Sequence, residues 1–357
     1  MSQEALKLTV YFGERDRAGD AFLADRILDV FAAHRLVVSV LLRGAEGFGI
    51  KQLRRTDRLL SLSEDLPLVA AAVDERRRVE AALAEIRELR FDGLVTLERA
   101  RLLGEPRPED QLADAGEQVK LTAYLGRGIR VGSRPAHELA LSLLHDAGAD
   151  GGTVLLGVDG TVRGERARAR FFSMNSQTPM MLISVGGRAA LLEAARRMSS
   201  MPTPPVLTLE RVRVLKRDGR RLAELPEVEE RDVEGLGRWF KLMLYSGEQN
   251  HFDGRPVHIE AVQRLRRERA RGATALRGTR GYHGEHEPHG DAFFSLRRRV
   301  PTLTVVVDEP EACGRWLEIL DEITPDRGLI TSEVVPAYLA TAGDDAHGGL
   351  RLADRWA

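Results

Sequence analysis

Lys7-Leu8-Thr9-Val10-Tyr11-Phe12-Gly13 returns as Lys120-Leu121-Thr122-Ala123-Tyr124-Leu125-Gly126, and again as Lys241-Leu242-Met243-Leu244-Tyr245-Ser246-Gly247. Short matches arise by accident, so the register that follows each one decides the matter. Thirty-six residues after each lysine stand Arg43, Leu156 and Arg277, in Leu42-Arg43-Gly44, Leu155-Leu156-Gly157 and Leu276-Arg277-Gly278. A proline opens an apolar run 60, 59 and 60 residues after the lysine, at Pro67, Pro179 and Pro301. A last element, Leu94-Val95-Thr96, Val206-Leu207-Thr208 and Leu329-Ile330-Thr331, places its threonine 89, 88 and 90 residues on. Four landmarks in constant order define three tandem copies of one unit.

The chain therefore divides into unit one at 1–103, a linker at 104–118, a more divergent unit two at 119–215, a charged linker at 216–238, unit three at 239–338 and a tail at 339–357. Each unit is about the size of an ordinary domain. The tail is small and polar until Leu350 and is expected to be loosely held.

Within unit one, Leu6, Leu8, Val10 and Phe12 alternate with Lys7, Thr9 and Tyr11, the period-two pattern of a strand with two different faces. Leu23, Ile27, Val30 and Phe31 then fall at helical spacing, and Val37 to Leu42 reads as a strand. The run after Pro67 is a third strand. Val79, Leu83, Ile86 and Leu89 line a second helix, and Leu94 to Glu98 closes the unit. The order strand, helix, strand, strand, helix, strand predicts an α+β fold of ferredoxin-like (βαββαβ) units. Two helices cover one sheet face and leave the other in need of a partner. The Lys, Thr or Met, and Tyr of strand one lie on that second face, so three fused copies are expected to close into an intramolecular pseudo-trimer.

Composition bounds the function. Lys plus Arg number 53 against 54 Asp plus Glu, a formal charge of -1, so no overall field recruits nucleic acid or anionic lipid. The single cysteine, Cys313, cannot form an intramolecular disulfide or a multi-cysteine metal cluster. The opening residues lack the pattern of a leader peptide, and no apolar run approaches the ~18–20 residues that span a bilayer. These features predict a cytoplasmic location. No Gly-x-Ser-x-Gly elbow, His-Glu-x-x-His helix, Walker loop or Cys-x-x-Cys pair occurs, and a non-catalytic role is expected.

Lys7 to Gly13, Leu41-Leu42-Arg43-Gly44-Ala45-Glu46-Gly47-Phe48-Gly49, Leu62-Ser63-Glu64-Asp65-Leu66-Pro67 and Gly93-Leu94-Val95-Thr96-Leu97-Glu98 resemble the PII-like family catalogued as domain of unknown function 190. Copy three keeps Leu276-Arg277-Gly278 with Gly281-Tyr282; copy two departs most, with Leu156 in place of the arginine. The resemblance implies subunits that bind small effectors, often adenine nucleotides, in the clefts between them. It also implies a segment after the second strand that changes shape and engages a partner, such as a membrane transporter or an enzyme. That segment is Arg43 to about Ser63 here, with Arg277 to Arg299 as its counterpart. The phosphate loop of classical PII proteins is reduced to Phe91-Asp92-Gly93, which argues against classical ATP binding. No cofactor is required; the expected ligand is a nucleotide or small anion.

Two clusters of residues carry candidate chemistry. Arg43 beside Gly44, Glu46, Gly47, Phe48 and Gly49, with Gly93 from the last strand, could cradle an anion, because glycine bares backbone N–H groups and a guanidinium binds phosphate in bidentate fashion. Arg277, Gly278, Gly281 and Tyr282 are the third-unit equivalents. His283, His286 and His289 recur every third residue, and three imidazoles could converge on zinc or nickel, which gives a metal-binding alternative. From Arg264 to Arg299 ten arginines face four acidic residues, but the arginine-dense runs 264–271 and 297–299 hold no interleaved aromatics, and no direct nucleic-acid binding is expected.

Overall fold

The structure, a computed structural model, describes residues 3–49, 52, 55–56, 65–104, 117–162, 165–166, 178–227, 238–283, 289–290, 300–350 and 352. Unit one runs β1 (Gln3–Gly13), α1 (Leu23–Ala33), β2 (Val38–Phe48), β3 (Pro67–Asp74), α2 (Arg76–Glu88) and β4 (Gly93–Leu103). Unit two repeats it as β5 (Gln118–Gly126), α3 (Ala136–Asp146), β6 (Gly151–Val162), β7 (Pro179–Gly187), α4 (Arg188–Ser199) and β8 (Val206–Arg211), continued by β9 (Arg213–Arg217). Unit three gives β10 (Trp239–Gly247), α5 (Val257–Arg267), β11 (Ala273–His283), β12 (Pro301–Asp308), α6 (Pro310–Glu322) and β13 (Leu329–Val335), followed by β14 (Ala337–Ala342) and β15 (Asp345–Gly349).

In unit one the first strand lies between the third and the fourth, and the second strand pairs with the third, so the order is β4-β1-β3-β2, antiparallel throughout. Units two and three reproduce that order. The period-two alternation explains why each sheet has two apolar faces. Leu6, Leu8, Val10 and Phe12 meet α1 and α2 in one buried cluster. Equivalent helix-side clusters form under α3 and α4 and under α5 and α6. The opposite faces of all three sheets share a fourth cluster, with Val40 and Val73 of unit one, Tyr124 and Ile183 of unit two, and Met243 and Val305 of unit three. The uncovered face of each unit is thus buried by the other two.

Hydrogen bonding closes the three units into a cycle. The end of β4 pairs with β8, β9 pairs with β13, and β14 returns to β4. The second strands do the same: Val38–Leu42 pairs with the far half of β6, the near half of β6 pairs with the far half of β11, and the near half of β11 pairs with Gly44–Phe48.

Two features differ from the sequence reading. A two-residue hairpin turn precedes the first helix of each unit, with Gly19, Gly132 and the Asp253-Gly254 pair at positive φ. Such φ values suit glycine and, less often, aspartate. The tail is not loose up to Gly349: β14 and β15 form a hairpin turning at Gly343, whose φ is 62°. Its small residues serve the turn and the close approach to β4.

Candidate functional site

On the axis of the cycle lies a ring of buried charge. Lys7, Lys120 and Lys241 stand opposite Glu98, Glu210 and Glu333 in the strand registers. All six are buried. Each lysine reaches forward to the next unit: Lys7 to Glu210 at 3.2 Å, Lys120 to Glu333 at 2.5 Å, and Lys241 to Glu98. Lys120 also holds Glu210 at 2.7 Å, and Lys241 holds Glu333 at 2.9 Å.

Burial alone would push the glutamate carboxyls up. Lys120, with Lys7 and Lys241, instead holds Glu210 well below the usual range, and Lys241, with Lys7 and Lys120, lowers Glu98. Burial pulls the lysines down; in Lys241 the facing Glu333 and Glu98 reverse this, whereas in Lys120 burial prevails and the amine falls below its ordinary value. The three carboxylates come within 4.8 Å of one another, a spacing that would suit a cation. Three ammonium groups already balance them, so a divalent ion would add unmatched buried charge.

A cavity of about 270 Å³ opens where unit one meets unit three. Unit one contributes Tyr11 and Phe12 from β1 and Phe48 and Gly49 from the end of β2. Unit three contributes Trp239, which begins β10, and Arg271, just before β11. The β14 strand walls it with Ala340 and Thr341, and the Thr341 hydroxyl donates to the Phe91 carbonyl at 2.6 Å. Trp239 is stacked on Tyr338, ring centroids 3.6 Å apart, and the Arg271 guanidinium lies 5.4 Å from the indole centroid. Asp16, Asp65 and Asp92 stand on the unit-one wall. Tyr11 borders both cavity and ring: burial pushes its phenol up, against the pull of Lys241, so it stays protonated.

The sequence-predicted residues fall into three groups. Phe48, Gly49 and Gly93 line the cavity. Arg43 pairs instead with Glu14 at 2.9 Å, and Arg277 with Glu248. Unit two, which has Leu156 for the arginine, has Arg127 for the glutamate. Gly44 and Gly47 sit inside β2 rather than in a loop: a Cβ on Gly44 would lie 2.7 Å from Pro67 Cγ, and one on Gly47 2.7 Å from the Ala273 carbonyl. Gly278 and Gly281 repeat this against Pro301 Cγ and the Gly152 carbonyl, both at 2.6 Å. These glycines let strands of neighbouring units cross closely, and the geometry lends the anion cradle no support.

Glu46 is buried in β2, and Tyr282 packs into the unit-two core, edge-on to His145 at 5.1 Å. His286 lies outside the described residues, as do the side chains of His283 and His289 and most of 43–63 and 277–299 beyond their strands. Several arginines of unit three are engaged: Arg264 pairs with Glu260 and Glu322 at 2.8 Å each, Arg280 with Glu138 at 3.1 Å, and Arg266 Nε donates to the Gln52 carbonyl at 2.6 Å.

The sequence landmarks contain four of the six ring residues, Lys7, Lys120, Lys241 and Glu98, without joining them; Glu210 and Glu333 lie two residues past Thr208 and Thr331. The available signal was the pairing of a Lys-initial first strand with a last strand ending in glutamate. Trp239 and Arg271 were missed because they lie just outside those landmarks.

A family model described as "Uncharacterized ACR, COG1993" (DUF190) matches residues 5–102, 118–214 and 239–337. A curated relative, a UPF0166 protein of Aquifex aeolicus (strain VF5), is 31% identical over 94 residues, covering 26% of this chain and 88% of its own length. That relative is about one unit long. Among solved structures, an aspartate kinase from Synechocystis aligns at 11% identity with a TM-score of 0.25, over 95% of this chain and 45% of its own. Likeness at that level supports no argument. Among the described residues, no helix is long and apolar enough to cross a membrane.

Proposed function

We propose, from the premise that this chain belongs three times over to the DUF190 family, that it is a non-catalytic PII-like regulatory protein. In this reading three ferredoxin-like units form an intramolecular pseudo-trimer, a small effector sits in an inter-unit cleft, and the segments after the second strands report it. The strand order and the cyclic pairings support the architecture. The observation that carries the effector reading is the cavity between units one and three. At about 270 Å³ it lies just under the volume usual for drug-sized ligands, and its apolar and aromatic walls carry convergent polar groups, as small-molecule sites do. Phe48 and Gly49, where the unit-one segment begins, form part of its wall, so a bound ligand would touch the base of the element that changes shape.

Titration calorimetry with nucleosides, nucleotides and small anions tests this, with Ala340→Phe as the cavity-filling control. Binding of one compound, abolished by Ala340→Phe, is expected. Silence across the panel refutes it.

A further inference from the structure

The three seams are no longer alike, and their differences bear on which ligand is bound and how many. The inference rests on the effector reading above. Position by position from the strand-one lysine, Trp239 corresponds to Ala5 and Gln118, Arg271 to Val37 and Asp150, and Asp16 to Ile129 and Asn250.

At the seam of units two and three, Arg217 pairs with Asp150 and donates to Gln118 Oε1 at 3.4 Å. Arg217 stands opposite Leu329 on β13, as Ala340 stands opposite Leu94 on β4. An ion pair thus lies where the other seam keeps open space. At the seam of units one and two the same positions hold Ala5 and Val37, packed into the shared apolar cluster.

The open seam is poorly suited to phosphate. Its Arg271 is committed: the backbone N–H donates to Asp308 Oδ2 at 3.1 Å, Nε to Asp308 Oδ1 at 3.2 Å, and Nη2 to Glu309 at 2.5 Å. Asp308 is itself fixed by the Trp316 indole N–H at 3.0 Å. Among the described lining residues, a bound phosphate would have to break this set or go without a cation, with Asp16, Asp65 and Asp92 on the facing wall. The aromatic walls and the two threonine hydroxyls, Thr274 and Thr341, favour a flat ring bearing hydrogen-bond donors.

We propose that the seam between units three and one is the single effector site of the chain, and that it takes one uncharged or cationic planar heterocycle lacking phosphate. The aromatics edge the ring; the threonines accept from its donors, as do the aspartates beside the backbone N–H groups of Gly13, Arg15 and Gly343 that Asp16, Asp65 and Asp92 already hold; and Arg271 holds Trp239 in place rather than binding an anion.

Calorimetry of the full chain with matched sets, adenosine and guanosine against their 5′-mono- and triphosphates, reads the proposal directly. The expected result is one nucleoside bound per chain, with affinity falling roughly tenfold or more on adding a phosphate, since like charges brought together cost several kcal/mol. Asp92→Asn should weaken nucleoside binding and narrow the gap to the monophosphate; it leaves the shape of the wall unchanged, so loss of fold is not the cause. Tighter binding of the phosphorylated forms, or more than one site per chain, overturns the inference while leaving an effector protein standing. Silence of every compound overturns this inference, and silence of the small anions as well overturns both readings.

Discussion

Lys241→Met removes one ammonium group from the central ring and leaves a side chain of similar length. Glu98 loses its ion pair with Lys241, and Glu333 keeps only Lys120. Removing one partner from a buried charge pair costs about 3–5 kcal/mol. With an unfolding entropy of about 2.1 cal/mol/K per residue over 357 residues, a loss near 4 kcal/mol lowers the midpoint by roughly 5 °C for cooperative unfolding. A pH signature accompanies it. Burial pushes the Glu98 carboxyl up, and the variant removes the chief influence that held it down. A carboxyl raised in the folded state destabilises only while ionised, so the variant regains stability as pH falls from 7 to 5; the parent, in which Glu98 and Glu210 are lowered, stays flat there. Lys120→Met costs less, because burial already disfavours that ammonium. Lys241→Met/Glu98→Gln, with charges rebalanced, recovers more than half of the loss. Differential scanning fluorimetry and urea unfolding across pH read all of this. An unchanged midpoint, a parent-like pH slope in the single variant, or a double variant no better than the single refutes the ring as the source of stability.

In the parent protein, the stabilisation from the lowered Glu98 and Glu210 is complete above the ordinary glutamate range near 4.3 and is lost as pH falls below it, so thermal midpoints should hold from pH 6 to 8 and drop steeply under about pH 4.5. Gly47→Ala places a methyl group 2.7 Å from the Ala273 carbonyl and should cost about 1–3 kcal/mol, whereas Gly314→Ala, mid-helix in α6 with open space, should add about 0.5–1 kcal/mol; urea midpoints separate the two. Arg43→Ala breaks a pair whose arginine is 45% exposed and should change stability by less than about 1 kcal/mol, with calorimetric ligand binding unaffected.

The parts of the fold legible in the sequence are those set by local pattern. Leu6, Leu8, Val10 and Phe12 alternate because their strand has two faces, and the lysine that opens each copy marks the same strand three times. What escaped notice comes from pairings between units, which no single copy contains. Lys7 meets Glu210 across 203 residues, and Trp239 and Arg271 meet the unit-one wall only because the cycle closes. Glycines at 44 and 47 read as an anion cradle because glycine bares backbone N–H groups. Here they mark a strand crossing, which sequence distinguishes from such a cradle only when the opposite chain is known. The hairpin after Val335 was hidden for a related reason: its small polar residues look like a loose end until β4 is there to receive them.

The return of β14 onto β4 has a consequence for how the polypeptide is wired. Because unit three is stitched to unit one by the same kind of ladder that joins the other neighbours, no module occupies a terminal position. A permuted gene that starts at unit two and ends with unit one would specify the same closed object. Severing the connection at 105–116 would leave the pieces held by backbone ladders and by the alternating charges at the hub. The order of the modules along the gene is thus separable from their order around the circle, which the forward reach of each lysine dictates.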